Sequence, residues 1–112
     1  LAYVAKVIRN AIRRLDIPCR YGGEEFALIL PDTPLSAGVL FANRLRHLIE
    51  NSSINIGTAH IQLTSSFGVD VYKKNQQCTA REFIERADSL LYEAKSEGRN
   101  KVRHPQFDVN QE

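Results

Sequence analysis

The sequence predicts one α+β domain, and three observations support this prediction. Segments with helical spacing of apolar residues alternate with short apolar runs typical of strands, and a Gly-Gly pair separates two of those runs. Of the 112 residues, 43% are hydrophobic and 25% are charged, a composition typical of a folded globular protein. A chain of this length can enclose one hydrophobic core, so we expect a single domain.

The composition argues against several classes of function. The 15 Lys and Arg residues against 13 Asp and Glu residues give a net charge of +2, and no basic stripe with interleaved aromatic residues indicates nucleic-acid binding. Cys19 and Cys78 lack the spacing of a zinc site or a disulfide framework, which suits a reducing cytoplasm. No apolar stretch reaches the roughly 18 residues of a membrane span. We expect a cytoplasmic segment without membrane contact, either of a soluble protein or of a membrane-bound sensor.

The first predicted helix ends near Asp16-Ile17-Pro18. Its apolar residues recur at helical spacing, and they are Leu1, Val4, Ile8, Ala11, Ile12 and Leu15. Because the chain opens inside this pattern without a Met or an N-cap residue, we expect it to be cut from a longer protein. Residues 19–21 and 26–30 then flank Gly22-Gly23, which predicts a β-hairpin with acidic residues at its tip.

A second helix is predicted after Pro31-Asp32, with Thr33 as its N-cap and Pro34 at its first helical position. Its predicted buried stripe consists of Ala37, Leu40, Phe41, Leu45, Leu48 and Ile49. After a polar turn at residues 51–53, Ile61, Leu63, Ser65, Phe67, Val69 and Val71 alternate with mostly polar neighbours, which predicts one long, half-buried strand.

The third helix is predicted from a capping box at Thr79-Ala80-Arg81-Glu82, with Gly98 as its C′ residue. Its apolar positions are Phe83, Ile84, Ala87, Leu90, Leu91 and Ala94. Residues 99–103 fit a short closing strand, whereas residues 104–112 are polar and without period. We therefore expect a domain over residues 1–103 and a tail over residues 104–112.

The acidic hairpin tip is the first candidate for chemistry. Glu24 and Glu25 follow two glycines, which let a ligand's phosphates approach the backbone N–H groups closely. Carboxylates at such a place can hold Mg²⁺ against a nucleoside triphosphate. On turn chemistry alone, however, Gly-Gly-Glu-Glu is more often a solvated turn.

A wider pattern decides between these interpretations. It runs through Arg13-x-x-Asp16, Arg20-Tyr21-Gly22-Gly23-Glu24-Glu25-Phe26, Leu30-Pro31-Asp32-Thr33, Thr64-x-Ser66-x-Gly68-Val69 and Ala87-Asp88-x-x-Leu91-Tyr92-x-Ala94-Lys95-x-x-Gly98-Arg99-Asn100. This pattern resembles the GGDEF family of bacterial diguanylate cyclases in its Gly-Gly-Glu-Glu-Phe variant. The resemblance extends over nearly all of residues 1–102, in the family's order and at compatible spacing.

The resemblance implies a fold and an activity. The fold is palm-like and related to nucleotidyl cyclases, a ferredoxin-like βαββαβ arrangement of helices on an antiparallel sheet in a three-layer type. Two such domains, each holding one GTP, meet face to face as a homodimer and make cyclic di-GMP and pyrophosphate with Mg²⁺ or Mn²⁺. The family's opening strand, with its metal-binding Asp, and the following guanine-reading helix have no counterpart here. We therefore expect this segment alone to be inactive.

The resemblance also assigns catalytic roles at the hairpin. Glu24 is implied as a metal ligand and candidate general base, and Glu25 as a second residue that supports metal binding. Gly22 and Gly23 let GTP lie over the turn.

Two further pairs of residues match family sites. Lys95 and Arg99 match its phosphate-binding pair, although basic residues at a helix end also complement the helix dipole. Arg13 and Asp16, one helical turn apart, match an inhibitory site for cyclic di-GMP, to which Arg44 often adds a second arginine in the family. On spacing alone, a surface ion pair worth about 0.3 kcal/mol is the commoner case.

Two functions remain open at this point. The chain is either part of a diguanylate cyclase controlled by an upstream sensor or receiver domain, or a non-catalytic domain that binds cyclic di-GMP or GTP as a regulator. The intact Gly-Gly-Glu-Glu-Phe, together with Lys95 and Arg99, favours the enzyme.

Overall fold

The computed structural model describes residues 2–14, 16–22, 25–73 and 77–106. The chain forms two compact units, Leu1–Thr33 and Pro34–Glu112. Helices and strands are mixed along both units, so the predicted α+β class is confirmed. Within the described residues, no helix combines the length and the apolar character needed to cross a bilayer.

The first unit contains a helix and the predicted hairpin. Helix α1 spans Ala2–Ala11, strand β1 spans Ile17–Gly22 and strand β2 spans Glu25–Ile29. The strands pair antiparallel from Ile17 opposite Ile29 to Arg20 opposite Phe26, which confirms the hairpin. On α1, Ile8 is buried. It lines an apolar groove of about 200 Å³ together with Pro18 and Phe26.

Helix α1 ends at Ala11, earlier than the predicted end near Asp16. The helix ends early because the Asp16 side chain competes with the helix for the backbone N–H of Arg13. The Asp16 carboxylate accepts from the Arg13 backbone N–H at 2.8 Å, and the Asp16 N–H donates to the Arg13 carbonyl at 3.1 Å. Arg13 and Asp16 therefore face each other across a turn, and the prediction that they share a helical turn was wrong.

The second unit contains helix α2, Leu35–Glu50, whose start was predicted incorrectly. Its N-cap is Pro34, in an extended conformation at φ −70° and ψ 162°, and no side chain caps it. Thr33, the predicted N-cap, uses its hydroxyl differently, since it donates to the Pro31 carbonyl at 2.9 Å.

The buried face of α2 also differs from the predicted stripe. It repeats at alternating steps of three and four residues, and its members are Leu35, Gly38, Ala42, Leu45 and Ile49. Leu45 and Ile49 were predicted, but Leu40 is 63% exposed and Leu48 is 46% exposed, Ala37 is exposed and Phe41 is half-buried. The small residues Gly38 and Ala42 belong to the buried face, where larger neighbours had been predicted. This spacing is that of a narrow packing seam.

The predicted long strand over residues 61–71 is interrupted. Strand β3 (Ser53–Ile56) pairs antiparallel with β4 (Ala59–Gln62), and β5 (Phe67–Gly68) pairs parallel with β6 (Val102–Arg103). Within the described residues, the strands thus form three two-stranded sheets. Gly57, at φ 62°, turns the β3–β4 hairpin, which was not predicted, since the expected polar turn at residues 51–53 leads into β3. Between β4 and β5, Ser66 instead accepts a hydrogen bond from the Asn100 N–H.

Helix α3, Ala80–Ser96, has the predicted ends. Thr79 Oγ1 accepts from the Glu82 N–H at 3.1 Å, and Glu82 accepts from the Thr79 N–H at 2.9 Å, so the capping box is confirmed. These bonds from Thr79 hold the pKa of Glu82 below its ordinary value. At the other end, Gly98 adopts φ 115° after the C-cap residue Glu97. The predicted closing strand is limited to β6, and residues 107–112 of the predicted tail lie outside the described residues.

Candidate functional site

The hairpin of the first unit carries the acidic candidate residues. Gly22 is the last residue of β1 and pairs with Glu25, the first residue of β2, after a shift in register. Glu25 is half-buried at this end of the ladder. Gly23 and Glu24 lie outside the described residues. The fold therefore places one candidate carboxylate at the end of a two-stranded ladder.

The donor set at this tip fits a hard divalent cation. Mg²⁺ prefers carboxylate oxygens and keeps several waters, so one or two protein carboxylates are sufficient for it. Glu25 offers such a carboxylate. Within the part of the chain that the structure describes, no group of three His, Cys, Asp or Glu residues could hold a metal ion. A metal held at the hairpin tip would have Glu25 as one ligand, and the sequence places Glu24 directly before it.

Arg13 and Asp16 form an ion pair in the first unit, in which the Asp16 side chain is buried and the Arg13 side chain is exposed. Arg13 Nη2 donates to Asp16 Oδ1 at 2.8 Å and Arg13 Nε donates to the same oxygen at 3.1 Å. The Asp16 side chain is 2% exposed, whereas that of Arg13 is 59% exposed. The hydrogen bond from Arg13 lowers the pKa of Asp16, and the bond to Asp16 raises the pKa of Arg13. Both groups are therefore charged at neutral pH.

Two groups missed by the sequence analysis complete the surroundings of Arg13. Its Nη2 also donates to Thr33 Oγ1 at 2.8 Å and to the Pro31 carbonyl at 3.1 Å. The chain reaches these positions through a turn at Asp32, whose φ is 51°. The sequence Pro31-Asp32-Thr33 is typical of such a turn, but it was interpreted as the start of a helix. The guanidinium is thus fixed on one side while more than half of the Arg13 side chain faces solvent.

The remaining predicted site residues lie in the second unit. Arg44 is exposed on α2. Lys95 is half-buried in the last turn of α3, and Arg99 is exposed just beyond the helix. The Arg99 N–H donates to the Ala94 carbonyl at 2.9 Å, so the backbone at Arg99 closes the end of the helix.

Arg99 sits in an unusual backbone segment. Gly98, Arg99 and Asn100 have φ values of 115°, 62° and 50°, three left-handed residues in a row. Arginine is rarely found in this region, because its Cβ crowds the backbone there. Strain of this kind persists only when surrounding contacts enforce it, and it is concentrated at functional sites.

Those surrounding contacts come from the side chain of Asn100. Asn100 Nδ2 donates to Glu50 Oε2 at 2.5 Å, and Asn100 Oδ1 accepts from Arg46 Nη1 at 3.2 Å. Arg46 and Glu50 lie one turn apart on α2 and are 3.7 Å from each other. The Asn100 N–H donates to Ser66 Oγ at 3.1 Å. Asn100 appeared in the sequence pattern without a role, and its partners are too distant in sequence to be inferred.

Comparison with known proteins identifies a family that matches nearly the whole chain. The family described as "Diguanylate cyclase, GGDEF domain" matches residues 1–101. Diguanylate cyclase A of Treponema denticola is 42% identical over 102 residues, which make up 91% of this chain and 27% of that protein. The chain therefore spans about a quarter of the length of this relative.

Solved structures share the fold. The diguanylate cyclase SiaD of Pseudomonas aeruginosa, in complex with its activator SiaC, has a TM-score of 0.82 and 31% identity, covering 91% of this chain and 38% of that one. The GGDEF domain of DgcB from Caulobacter crescentus, in complex with c-di-GMP, has a TM-score of 0.79 and 30% identity, covering 91% of this chain and 60% of that one. Both similarities extend over most of the residues described above.

Proposed function

Because this chain belongs to the GGDEF family of diguanylate cyclases, we propose that the protein containing it condenses two GTP molecules into cyclic di-GMP and releases two pyrophosphates. The observation that supports this most is the intact hairpin, in which Gly22 and Glu25 close the ladder on either side of Gly23 and Glu24. A degenerate, purely regulatory relative would have little reason to retain both acidic residues. The catalytic proposal is therefore preferred over a non-catalytic regulator of the same fold.

The reaction consists of two equivalent phosphoryl transfers. In each, the 3′-hydroxyl oxygen of one GTP forms a bond to the α-phosphorus of the other, and the bond from that phosphorus to the pyrophosphate oxygen breaks. The hydroxyl proton passes to a base, for which Glu24 is our candidate. Because each GTP supplies one nucleophile and one electrophile, two domains that face each other as a homodimer satisfy both transfers together.

The chain's own residues would bind and neutralise the triphosphate. Glu24 and Glu25 would hold Mg²⁺ or Mn²⁺, which neutralises triphosphate charge when bound. Lys95 supplies a point charge and Arg99 a planar fork of N–H donors, two groups suited to phosphate oxygens. Gly22 and Gly23 leave the backbone of the turn accessible to the nucleotide.

We also propose that the activity is controlled from outside this chain. SiaD was solved in complex with an activator, and this chain spans only 27% of its relative from Treponema denticola. A sensor or receiver domain attached upstream would control how two copies of the domain meet.

The direct test is to incubate the full-length protein with GTP and Mg²⁺ and to measure both products. We expect one cyclic di-GMP and two pyrophosphates for every two GTP consumed. Binding of GTP without formation of either product would contradict the enzyme and favour the regulatory alternative.

Product inhibition at Arg13 is a separate expectation. A guanidinium can donate to O6 or N7 of guanine, and because Asp16 and Thr33 bind Nε and Nη2 of Arg13, its Nη1 is the group directed to a ligand while the side chain remains 59% exposed. We expect Arg13→Ala to raise the cyclic di-GMP concentration for half-inhibition by about tenfold or more, because a charge-assisted hydrogen bond to the ligand is lost. Initial rates measured against added cyclic di-GMP check this.

The matched control is Arg14→Ala, which removes the same charge from the adjacent exposed residue. Its half-inhibition concentration should remain that of the parent. If Arg13→Ala and the parent are inhibited equally, the product site is not at Arg13.

A further inference from the structure

The Arg99 side chain does not hold the turn over residues 98–100 in place. Arg99 is exposed, and none of the residues that the structure describes accepts a hydrogen bond from its guanidinium. Its left-handed backbone, at φ 62°, is one that arginine rarely adopts. The position of Arg99 therefore depends on whatever holds the neighbouring backbone in place.

The side chain of Asn100 holds the backbone next to Arg99 in place. One end of its amide donates to Glu50 and the other end accepts from Arg46, so both halves of the amide are bound to the same face of α2. The two partners are held together by their own ion pair and are only partly exposed, at 16% for Arg46 and 32% for Glu50. With its N–H on Ser66, Asn100 is tied to α2 and to the segment before β5.

This arrangement is more than a surface cap, because two different segments must be in place for it to form. The C-terminal end of α3 is already closed by the backbone bond from Arg99 to Ala94 and by Lys101, whose Nζ donates to the Glu97 carbonyl. The Asn100 bonds are thus not needed to satisfy the helix end. Their effect is to keep the residue directly after Arg99 in its left-handed conformation, at φ 50°.

We propose that Asn100, held by Glu50 and Arg46, is a positioning residue that fixes the Arg99 guanidinium for contact with the phosphates of GTP. The inference rests on the proposed function, in which Arg99 binds the triphosphate. It assigns to Glu50 and Arg46 a part in nucleotide affinity although neither touches the nucleotide in this proposal.

The test measures binding of a GTP analogue with a methylene bridge between its α- and β-phosphates, which cannot release pyrophosphate. Asn100→Gly is the informative variant, because glycine retains access to the left-handed backbone while the amide is removed. In the full-length protein, we expect Arg99→Ala to weaken binding of the analogue about tenfold or more, since a charged hydrogen bond to phosphate is lost. Asn100→Gly should weaken it by a similar factor.

A double-mutant cycle separates positioning from general support of the fold. If Asn100 acts through Arg99, Asn100→Gly has no further effect on affinity in the Arg99→Ala background. Glu50→Ala should behave like Asn100→Gly, and Glu50→Gln, which retains a carbonyl oxygen as acceptor for Asn100, should bind the analogue like the parent. Should Asn100→Gly not fold, the cycle of Glu50→Ala with Arg99→Ala gives the same information.

Three results would overturn the inference: analogue binding by Asn100→Gly equal to that of the parent, an equal loss in both backgrounds of the cycle, or unchanged binding by Arg99→Ala. The last of these would also remove Arg99 from the proposed phosphate site. A parent protein that binds the analogue but makes no cyclic di-GMP would contradict the proposed catalysis. The positioning inference would still stand, because it is tested by the affinity for the analogue and not by turnover.

Discussion

Gly68→Ala is expected to destabilise the second unit by about 3 kcal/mol or more, at the upper end of the cost of overpacking. A Cβ on Gly68 would lie 2.2 Å from the Ala87 carbonyl oxygen, 2.4 Å from the Leu91 nitrogen and 3.0 Å from the Leu90 carbonyl carbon. All three are backbone atoms of α3, so no side chain can rotate away. Either α3 moves off β5 or the two-residue pairing with β6 breaks.

Thermal or urea denaturation of the full-length protein measures this effect. A loss of this size lowers the Tm of a domain of 60–100 residues by more than about 10 °C. Gly38→Ala is the matched control, because its Cβ would meet only Val69 Cγ1, at 3.4 Å. In the first turn of α2, alanine should be neutral or stabilising by up to about 1 kcal/mol from helix propensity. Equal stability of the two variants would contradict the close approach of β5 and α3.

Glu24→Ala is expected to lower kcat by about a thousandfold or more, since losing a metal ligand and base raises the barrier by several kcal/mol. The change removes one of the two carboxylates at the hairpin tip, and Glu25 alone offers a single acidic side chain to a cation. Initial rates of cyclic di-GMP formation from GTP and Mg²⁺ give the effect.

Two variants make the result specific to the carboxylate at this position. Glu24→Asp retains the carboxylate and should retain most of the activity, since the family accepts either acid there. Glu85→Ala removes an exposed acidic residue from α3 and should be as active as the parent. If Glu24→Ala turns over GTP at the rate of the parent, Glu24 is neither metal ligand nor base.

Features determined by neighbouring residues could be predicted from the sequence. The capping box of Thr79 and Glu82, the helix stop at Gly98 and the hairpin around Gly22 each depend on contacts within a few residues, and each was confirmed. The candidate site residues were chosen from two short motifs, Glu25 from Gly-Gly-Glu-Glu-Phe and Lys95 with Arg99 from Lys-x-x-Gly-Arg-Asn. Their chemical roles remain predictions that the experiments above can test.

Features determined by distant parts of the chain could not be predicted. The buried face of α2 includes Gly38 because Val69 packs against it, and residue type alone favoured the larger Leu40. The period of two over residues 61–71, in which Ser65 takes an apolar position, describes side-chain direction and not pairing, so it did not show that the strand stops between β4 and β5. Asn100 and Glu50 are separated by 50 positions, a contact that no local pattern indicates.

The parallel pairing of Phe67 with Val102 also has a consequence for the order of folding. This pairing closes a loop of about 35 residues, which lowers the conformational entropy of the chain. Local structure such as α3 forms without closing a loop of this kind. Helix α3 can therefore form early, whereas β6 and the left-handed turn before it assemble late, after β5 has found its partner. The turn that carries Arg99, which we propose as a phosphate-binding residue, is then among the last parts of the second unit to form. Nucleotide affinity should report whether the fold is complete more sensitively than helix content does.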